Sequence, residues 1–548
     1  MMNLKKLSFP LSGCLVSLLF GVAVYAFWLF VHPEYLSFHE QYQLFLTTPD
    51  YFLGDISVAG GLADYLSEFL VQFFYYPAAG ATIMAVLFVI VRRLVWRMMN
   101  QRCYLLSFIP SLLLIWAMGD ESVLLSYTAA LIIVLCCALL TGKRWIWADI
   151  LIVPLLYWAA GPMAWLYVAL RIFSIGKKAL LLLVYMPLAQ FAMYHFFMQQ
   201  WPLSMVMIEG LNYYRVPLHP DILLLIIPLA ILFLIIVTSW EKVRSLSPSV
   251  SVPVSLVLLV IPLAGIFLLA FDADRTELLK QDYLIRSERW DELISRAEKK
   301  TVKTAFWSNS VNLALSQRGQ LADRMFEFYQ SGGDALVMPM VRDCISDLPS
   351  AEAFYRLGMV NSALRYFFDV QESVLNFKKS GRCEQRIAEC LIINGKYDIA
   401  RKHLDLLSQT LFYRSWAEKA IGCLGDETKI GNHRQWGRIR QYRYKNDFLF
   451  NYNEKDKMFG QLFLTNKENK MALQYFLGEL LLKGDAEGFV QYLPLARLYG
   501  GYVTMPRGYQ DAMRCIQSRG DIQDSPYAEY ARRMTAQTMK GGGDVQVH

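Results

Sequence analysis

Between His32 and Pro77 the sequence places Glu34, Glu40, Asp50, Asp55, Asp64 and Glu68, and no Lys or Arg at all. Carboxylates without nearby cations can act as general bases, as ligands for a hard divalent cation, or as acceptors that orient a hydroxyl. Glu40, next to His39, is the best base candidate, with His39 and Asp50 as substrate-binding neighbours. A second acidic step, Gly119-Asp120-Glu121, stands where another apolar run ends. Asp120 and Glu121 could hold a divalent cation or the hydroxyl of an acceptor. Arg215 and His219, within 199–221, could hold a phosphate. Further on, the stretch from His433 to Lys445 interleaves cations with aromatics through Arg434, Trp436, Arg438, Arg440 and Arg443. Such a stretch can bind nucleic acid in the cytosol. Outside a membrane it suits anionic lipid or a phosphorylated glycan, and nucleic acid is excluded as a partner.

Several familiar chemistries are absent. His39-Glu40-Gln41-Tyr42-Gln43 opens like a zinc-protease motif, but Gln43 stands where the second His should be, and an amide is a poor zinc ligand. No phosphate-cradling glycine loop and no GxSxG elbow occurs. The nine cysteines form no CxxC pair and read as buried thiols.

What positions these groups is a membrane domain. The chain has 548 residues, 55% hydrophobic and only 18% charged, with a mean hydropathy of +0.29. The apolar residues dominate up to about Phe271, so 1–271 reads as a transmembrane domain and 272–520 as a soluble one. Lys5 and Lys6 precede an apolar run from Leu11 to Val31 that continues straight through the small residues at Val24-Tyr25-Ala26, which favours an anchor over a cleaved signal. Further runs at roughly 78–96, 104–118, 122–140, 145–160, 162–175, 179–198, 222–240 and 252–271 bring the expectation to nine spans. The pair flanking Gly161-Pro162 could instead be one kinked helix.

With nine spans, every basic cluster falls on one side: Lys5-Lys6, Arg92 to Arg102, Lys143-Arg144, Arg171 to Lys178, and Lys242 to Arg244. The positive-inside rule makes that side the cytoplasm. The acidic loop 33–76, Asp120-Glu121 and everything after Phe271 then face the exterior, the periplasm of a bacterial inner membrane. The second half of the loop, Gly60 to Phe74, reads as an interfacial amphipathic helix. Asp149 reads as an interfacial carboxylate near the cytoplasmic end of its run.

After Phe271 the pattern changes to paired amphipathic helices. Gly319, Gly358 and Gly395 recur at spacings of 39 and 37 residues, and a further turn is expected at Lys483-Gly484-Asp485. Gly395-Lys396-Tyr397-Asp398-Ile399-Ala400 resembles a tetratricopeptide-repeat turn. The expected architecture is all-α throughout: a polytopic transmembrane domain, then a TPR-like α-solenoid whose concave face would take protein, peptide or glycan partners. Residues 521–548, with Gly541-Gly542-Gly543, read as a flexible tail.

The acidic loop after the first span, its apolar helix and the acidic step at Gly119-Asp120-Glu121 resemble the GT-C class of membrane glycosyltransferases. The resemblance implies a polyprenyl-phosphate-linked sugar used on the outer side. It also implies a catalytic role for Glu40, Asp120 and Glu121. In overall layout the chain is similar to uncharacterised bacterial polytopic membrane proteins of unknown function. The alternative is a non-enzymatic membrane-anchored scaffold whose repeat domain organises an envelope or secretion complex.

Overall fold

The computed structural model describes residues 4–101, 103–141, 146–210, 213, 222–244, 248–374, 378–444, 451–518 and 524–541. Every regular element among them is helical. Up to residue 268 the helices are α1 (Leu4–Ala26), α2 (Pro33–Gln41), α3 (Pro49–Ile56), α4 (Gly61–Val71), α5 (Pro77–Met98), α6 (Ile109–Ala117), α7 (Leu125–Thr141), α8 (Asp149–Ala160), α9 (Ala164–Ile175), α10 (Leu182–Phe197), α11 (Ile222–Ser239), α12 (Glu241–Arg244) and α13 (Pro248–Leu268).

The expected nine spans are corrected. Among the described residues, five helical stretches are long and apolar enough to cross a membrane: Gly13–Val31, Pro77–Met98, Asp149–Phe197, Ile222–Ser239 and Ser249–Leu268. Tyr104–Ala117 and Leu125–Thr141 are shorter apolar helices. The excess arose because an apolar run need not become one long helix. The run at 104–118 opens as a 3-10 turn, and α6 proper has nine residues with Pro110 in its first turn. The 149–197 stretch also doubles back. Gly161 takes a φ of +60° ahead of Pro162. Asp149, at the start of α8, receives hydrogen bonds from Tyr167, in the first half of α9, and from Arg171, in its second half. The two arms are therefore antiparallel, a hairpin turning at Gly161-Pro162 and not one continuous rod. Each has 12 residues, about 18 Å at 1.5 Å per residue, against a bilayer core of about 30 Å.

Two compact units emerge. The first contains residues 1–276 with two short later segments, 374–381 and 409–414; the second contains 277–373, 382–408 and 415–548. The later segments join the first unit through backbone bonds, Leu44 N to Lys379 O at 3.1 Å and Thr47 N to Gln409 O at 2.9 Å.

In the second unit the glycines expected at helix turns are there. Gly319, Gly358, Gly395 and Gly484 all have positive φ, between 69° and 90°. Each follows a helix, as a left-handed C-terminal residue does. The element after Gly319 is only the four residues Leu321–Arg324, so that hairpin is incomplete. Gly358 has least room: a Cβ there would meet the Tyr442 backbone carbonyl carbon at 2.8 Å. Gly358→Ala is expected to destabilise the protein by about 1–2 kcal/mol from the left-handed backbone alone, and by more once Tyr442 must shift. Thermal unfolding of the full chain checks this, and an unchanged melting point would mean the turn can open. Nearby, Glu352 is buried among Arg356, Arg382 and Arg386. Burial alone would raise its carboxyl pKa; the three guanidinium groups outweigh it and hold the group far below the usual range. The segment read as a flexible tail is corrected in part: Pro526–Gly541 is a helix, and Tyr530 donates to the Leu482 carbonyl at 2.7 Å.

Candidate functional site

The acidic loop folds into α2, α3 and α4, and its last three acids converge. Thr48 caps α3, its hydroxyl accepting from Tyr51 N at 3.4 Å, with Pro49 at the first helical position. The corner into α4 passes through Gly60, at φ +83°, and Gly61, where a Cβ would lie 1.9 Å from the Asp55 carbonyl oxygen. Only glycine allows that closeness, and it sets Asp55 against α4. Asp64 and Glu68, one turn apart, share the buried face of α4, whereas Leu66 and Phe69 on the other side are exposed. The expected interfacial helix is thus turned polar side inward.

Facing these acids is Lys378, from the later segment of the same unit. Its Nζ lies 2.8 Å from Asp55 Oδ1, 3.0 Å from Glu68 Oε1, 3.9 Å from Asp64 Oδ2 and 3.3 Å from the Tyr51 hydroxyl. Tyr51 donates a hydrogen bond to Glu68 Oε2. One oxygen from each of Asp55, Asp64 and Glu68 falls within 4.8 Å of the others. Asp55 Oδ2 and Asp64 Oδ1 are buried with no hydrogen-bond partner. With all three acids ionised, one ammonium faces three negative charges. Burial, then the neighbouring Glu68, push the Asp64 carboxyl well above the ordinary carboxylate range; burial also raises Glu68. Burial would lower Lys378, but the surrounding negative groups outweigh it and hold its pKa high. The arrangement can therefore store a proton, serve as a base once that proton leaves, or offer oxygens to a second cation. It is not sealed, because the side chains of Lys378 and Asp55 keep 18% and 11% of their surface exposed.

The residues singled out from the sequence fall elsewhere. Glu40 is buried and accepts a hydrogen bond from the Tyr413 hydroxyl at 2.9 Å. His39 is buried on the same helix, and Asp50 is exposed at the start of α3. Asp120 closes its own turn, Oδ1 accepting from Ser122 N at 2.8 Å and Ser122 Oγ at 2.7 Å. Glu121 pairs with Arg275. Among the described residues, neither Asp120 nor Glu121 belongs to a group of three metal-ligating side chains. Arg215 and His219 lie outside the described residues.

In the basic stretch, Trp436 is buried and stacks on His433 with ring centroids 3.9 Å apart. Arg440 donates to the Ile393 carbonyl at 3.2 Å and pairs with Glu427; Arg443 donates to the same carbonyl at 3.2 Å and to Asn394 Oδ1 at 3.0 Å. These two arginines cap the end of the helix Gly381–Ile393. Of the five residues read as an anionic-ligand patch, Arg440 and Arg443 thus bind within their own unit, Trp436 is buried, and Arg434 and Arg438 are exposed.

Residues 7–540 match a family described as a family of unknown function, DUF6057. The chain belongs to that family. No curated protein and no solved structure matches it. The DUF6057 match spans both units, so Asp55, Asp64, Glu68 and the distant Lys378 all lie within it. The sequence carried a signal for two of them: Asp64 and Glu68 at i, i+4 put both carboxylates on one helix face. It carried none for Lys378.

Proposed function

We propose that this chain is an integral membrane protein of the bacterial envelope that transfers a sugar from a lipid-linked donor, with the carboxylates of α4 in the role first given to Glu40. The observation that carries the reading is the cluster of Asp55, Asp64 and Glu68 around Lys378, buried but still reachable, in the unit that holds the apolar helices. Sugar transfer with inversion needs a carboxylate to take a proton from the acceptor hydroxyl as that oxygen bonds to the sugar and the bond to the lipid phosphate breaks, the electron pair leaving with the phosphate. Asp64 or Glu68 is the better base here, because burial makes each bind a proton more tightly than an exposed acid does. Lys378 and Tyr51 hold the acids in place.

The orientation read from the basic clusters is compatible with five long helices. A hairpin that returns to the side it left changes no parity, and 149–175 is such a hairpin. If 104–141 also leaves and returns, the basic clusters stay together and the acidic loop stays opposite them.

Asp64→Asn and Glu68→Gln are expected to remove an envelope-glycan product in cells, with turnover down by about 10²–10⁴ from loss of a base. Protein level in the membrane should stay at that of the parent. Normal glycan with normal protein would end the enzymatic reading. A scaffold is the second reading. It is favoured by the helix turns of the second unit at Gly358, Gly395 and Gly484, which suit a solenoid for a protein partner, and by the internal pairing of Glu40 and Glu121.

A further inference from the structure

The first unit also holds a cavity of about 540 Å3, within the usual size range for a small-ligand site. Its depth is formed by Met163, Leu166, Tyr213 and Leu224, all buried. Ile208, Leu225 and Leu229 also line it, yet 64%, 49% and 63% of their surface is exposed. Leu225 and Leu229 sit on α11, an apolar helix long enough to cross the bilayer. On a helix that crosses a bilayer, exposed leucines would face hydrocarbon, so a mouth at Leu225 and Leu229 would open sideways toward lipid.

Most polar groups in the wall are already committed. The Tyr127 hydroxyl donates to the Leu224 carbonyl at 2.7 Å; the Tyr213 hydroxyl donates to the Ala160 carbonyl and accepts from Met163 N. Gln190 is the exception. It is fully buried, its Nε2 donates to the Met207 carbonyl at 2.9 Å, and its Oε1 has no partner. A buried amide oxygen left unpaired is costly unless something donates to it. Glu209 also lines the cavity, whereas no Lys or Arg does among the described residues. A phosphate would meet an acceptor and a carboxylate, with no lining cation to hold it.

We infer that this cavity binds the apolar chain of an uncharged, hydroxyl-bearing lipid, taken from the bilayer through the gap at Ile208, Leu225 and Leu229, with the hydroxyl donating to Gln190 Oε1. The site does not depend on the glycosyl-transfer reading, and a binding measurement separates the two.

The test uses the full-length protein in nanodiscs with three diazirine-bearing probes: a prenol, a diacylglycerol and a phosphatidic acid. After photolysis, labelled peptides are mapped by mass spectrometry. The expected result is labelling by the prenol or the diacylglycerol concentrated on peptides carrying residues 163–169, 207–208 and 224–232, and weaker labelling there by phosphatidic acid. Which neutral probe prevails tells a prenyl from an acyl chain. Gln190→Leu should weaken that labelling by about threefold to tenfold, the worth of one hydrogen bond. Leu229→Trp, at an exposed position that tolerates change, should block entry and abolish it while the protein stays monodisperse. Labelling spread evenly over every lipid-facing helix, or strongest with phosphatidic acid, overturns the inference. So does full labelling in both variants.

Discussion

Replacing Lys378 with Met is expected to destabilise the full-length protein by about 3–5 kcal/mol, as removal of one partner from a buried ion cluster usually does. The ammonium faces Asp55 and Glu68 at 2.8 and 3.0 Å and reaches toward Asp64. Without it, among the described residues the Tyr51 hydroxyl is what remains bonded to Glu68. The direction with pH follows from the shifts. Asp64 and Glu68 bind protons more tightly folded than unfolded, so ionising them costs stability as pH rises above the ordinary carboxylate range. Lys378 also binds its proton more tightly when folded, so its contribution is complete at neutral pH and is lost only above its ordinary value of 10.5. The deficit of Lys378→Met should therefore be small near pH 5 and grow toward pH 8. Adding Asp64→Asn to Lys378→Met should recover part of it, because one fewer buried carboxyl must stay protonated. Thermal unfolding of the parent and the two variants across that range decides the matter. A Lys378→Met protein as stable as its parent at every pH would show that the ammonium does not neutralise the cluster.

How much of this could be read from the chain differs between its parts. The all-helical class followed from apolar runs and 3.6-residue patterning, which are local. The turns at Gly358, Gly395 and Gly484 were equally legible, since a left-handed C-terminal residue selects glycine on the spot. The span count was not. Hydropathy reports that 149–175 is apolar, but whether the chain doubles back at Gly161 depends on what Asp149 meets, and its partners Tyr167 and Arg171 lie on the other arm. The absence of Lys and Arg in 33–76 marked a loop of unusual electrostatics, but not which of its acids would gather. His39-Glu40 looked reactive as a dipeptide, whereas the geometry gave Glu40 a Tyr413 hydroxyl and gathered Asp55, Asp64 and Glu68 instead. Lys378 was out of reach for a different reason. It lies in a stretch of soluble composition, and only the fold returns residues 374–381 to the first unit.

The second large effect is expected inside the apolar helices themselves. Arg171 donates to Asp149 Oδ2 from Nε at 3.0 Å and from Nη2 at 2.7 Å, and Tyr167 donates to Oδ1 at 2.6 Å. Both charges are withdrawn from solvent, while Leu151 and Leu155 on the same helix are exposed and apolar. Asp149 is therefore no interfacial carboxylate reaching for water. Such a pair need not stabilise the fold relative to an apolar pair of the same shape, but removing one member leaves a charge with no counterpart in a setting without water. Arg171→Met and Asp149→Leu should each cost about 3–5 kcal/mol. The double variant should be markedly more stable than the sum of the single losses, because two apolar side chains can pack where two charges had to pair. The coupling between the positions, read from melting temperatures of the four proteins in one detergent, should exceed about 1 kcal/mol. Simple additivity would mean that the two side chains do not share one environment, and the antiparallel packing of α8 on α9 would then be wrong, because that pairing is what places position 171 beside position 149.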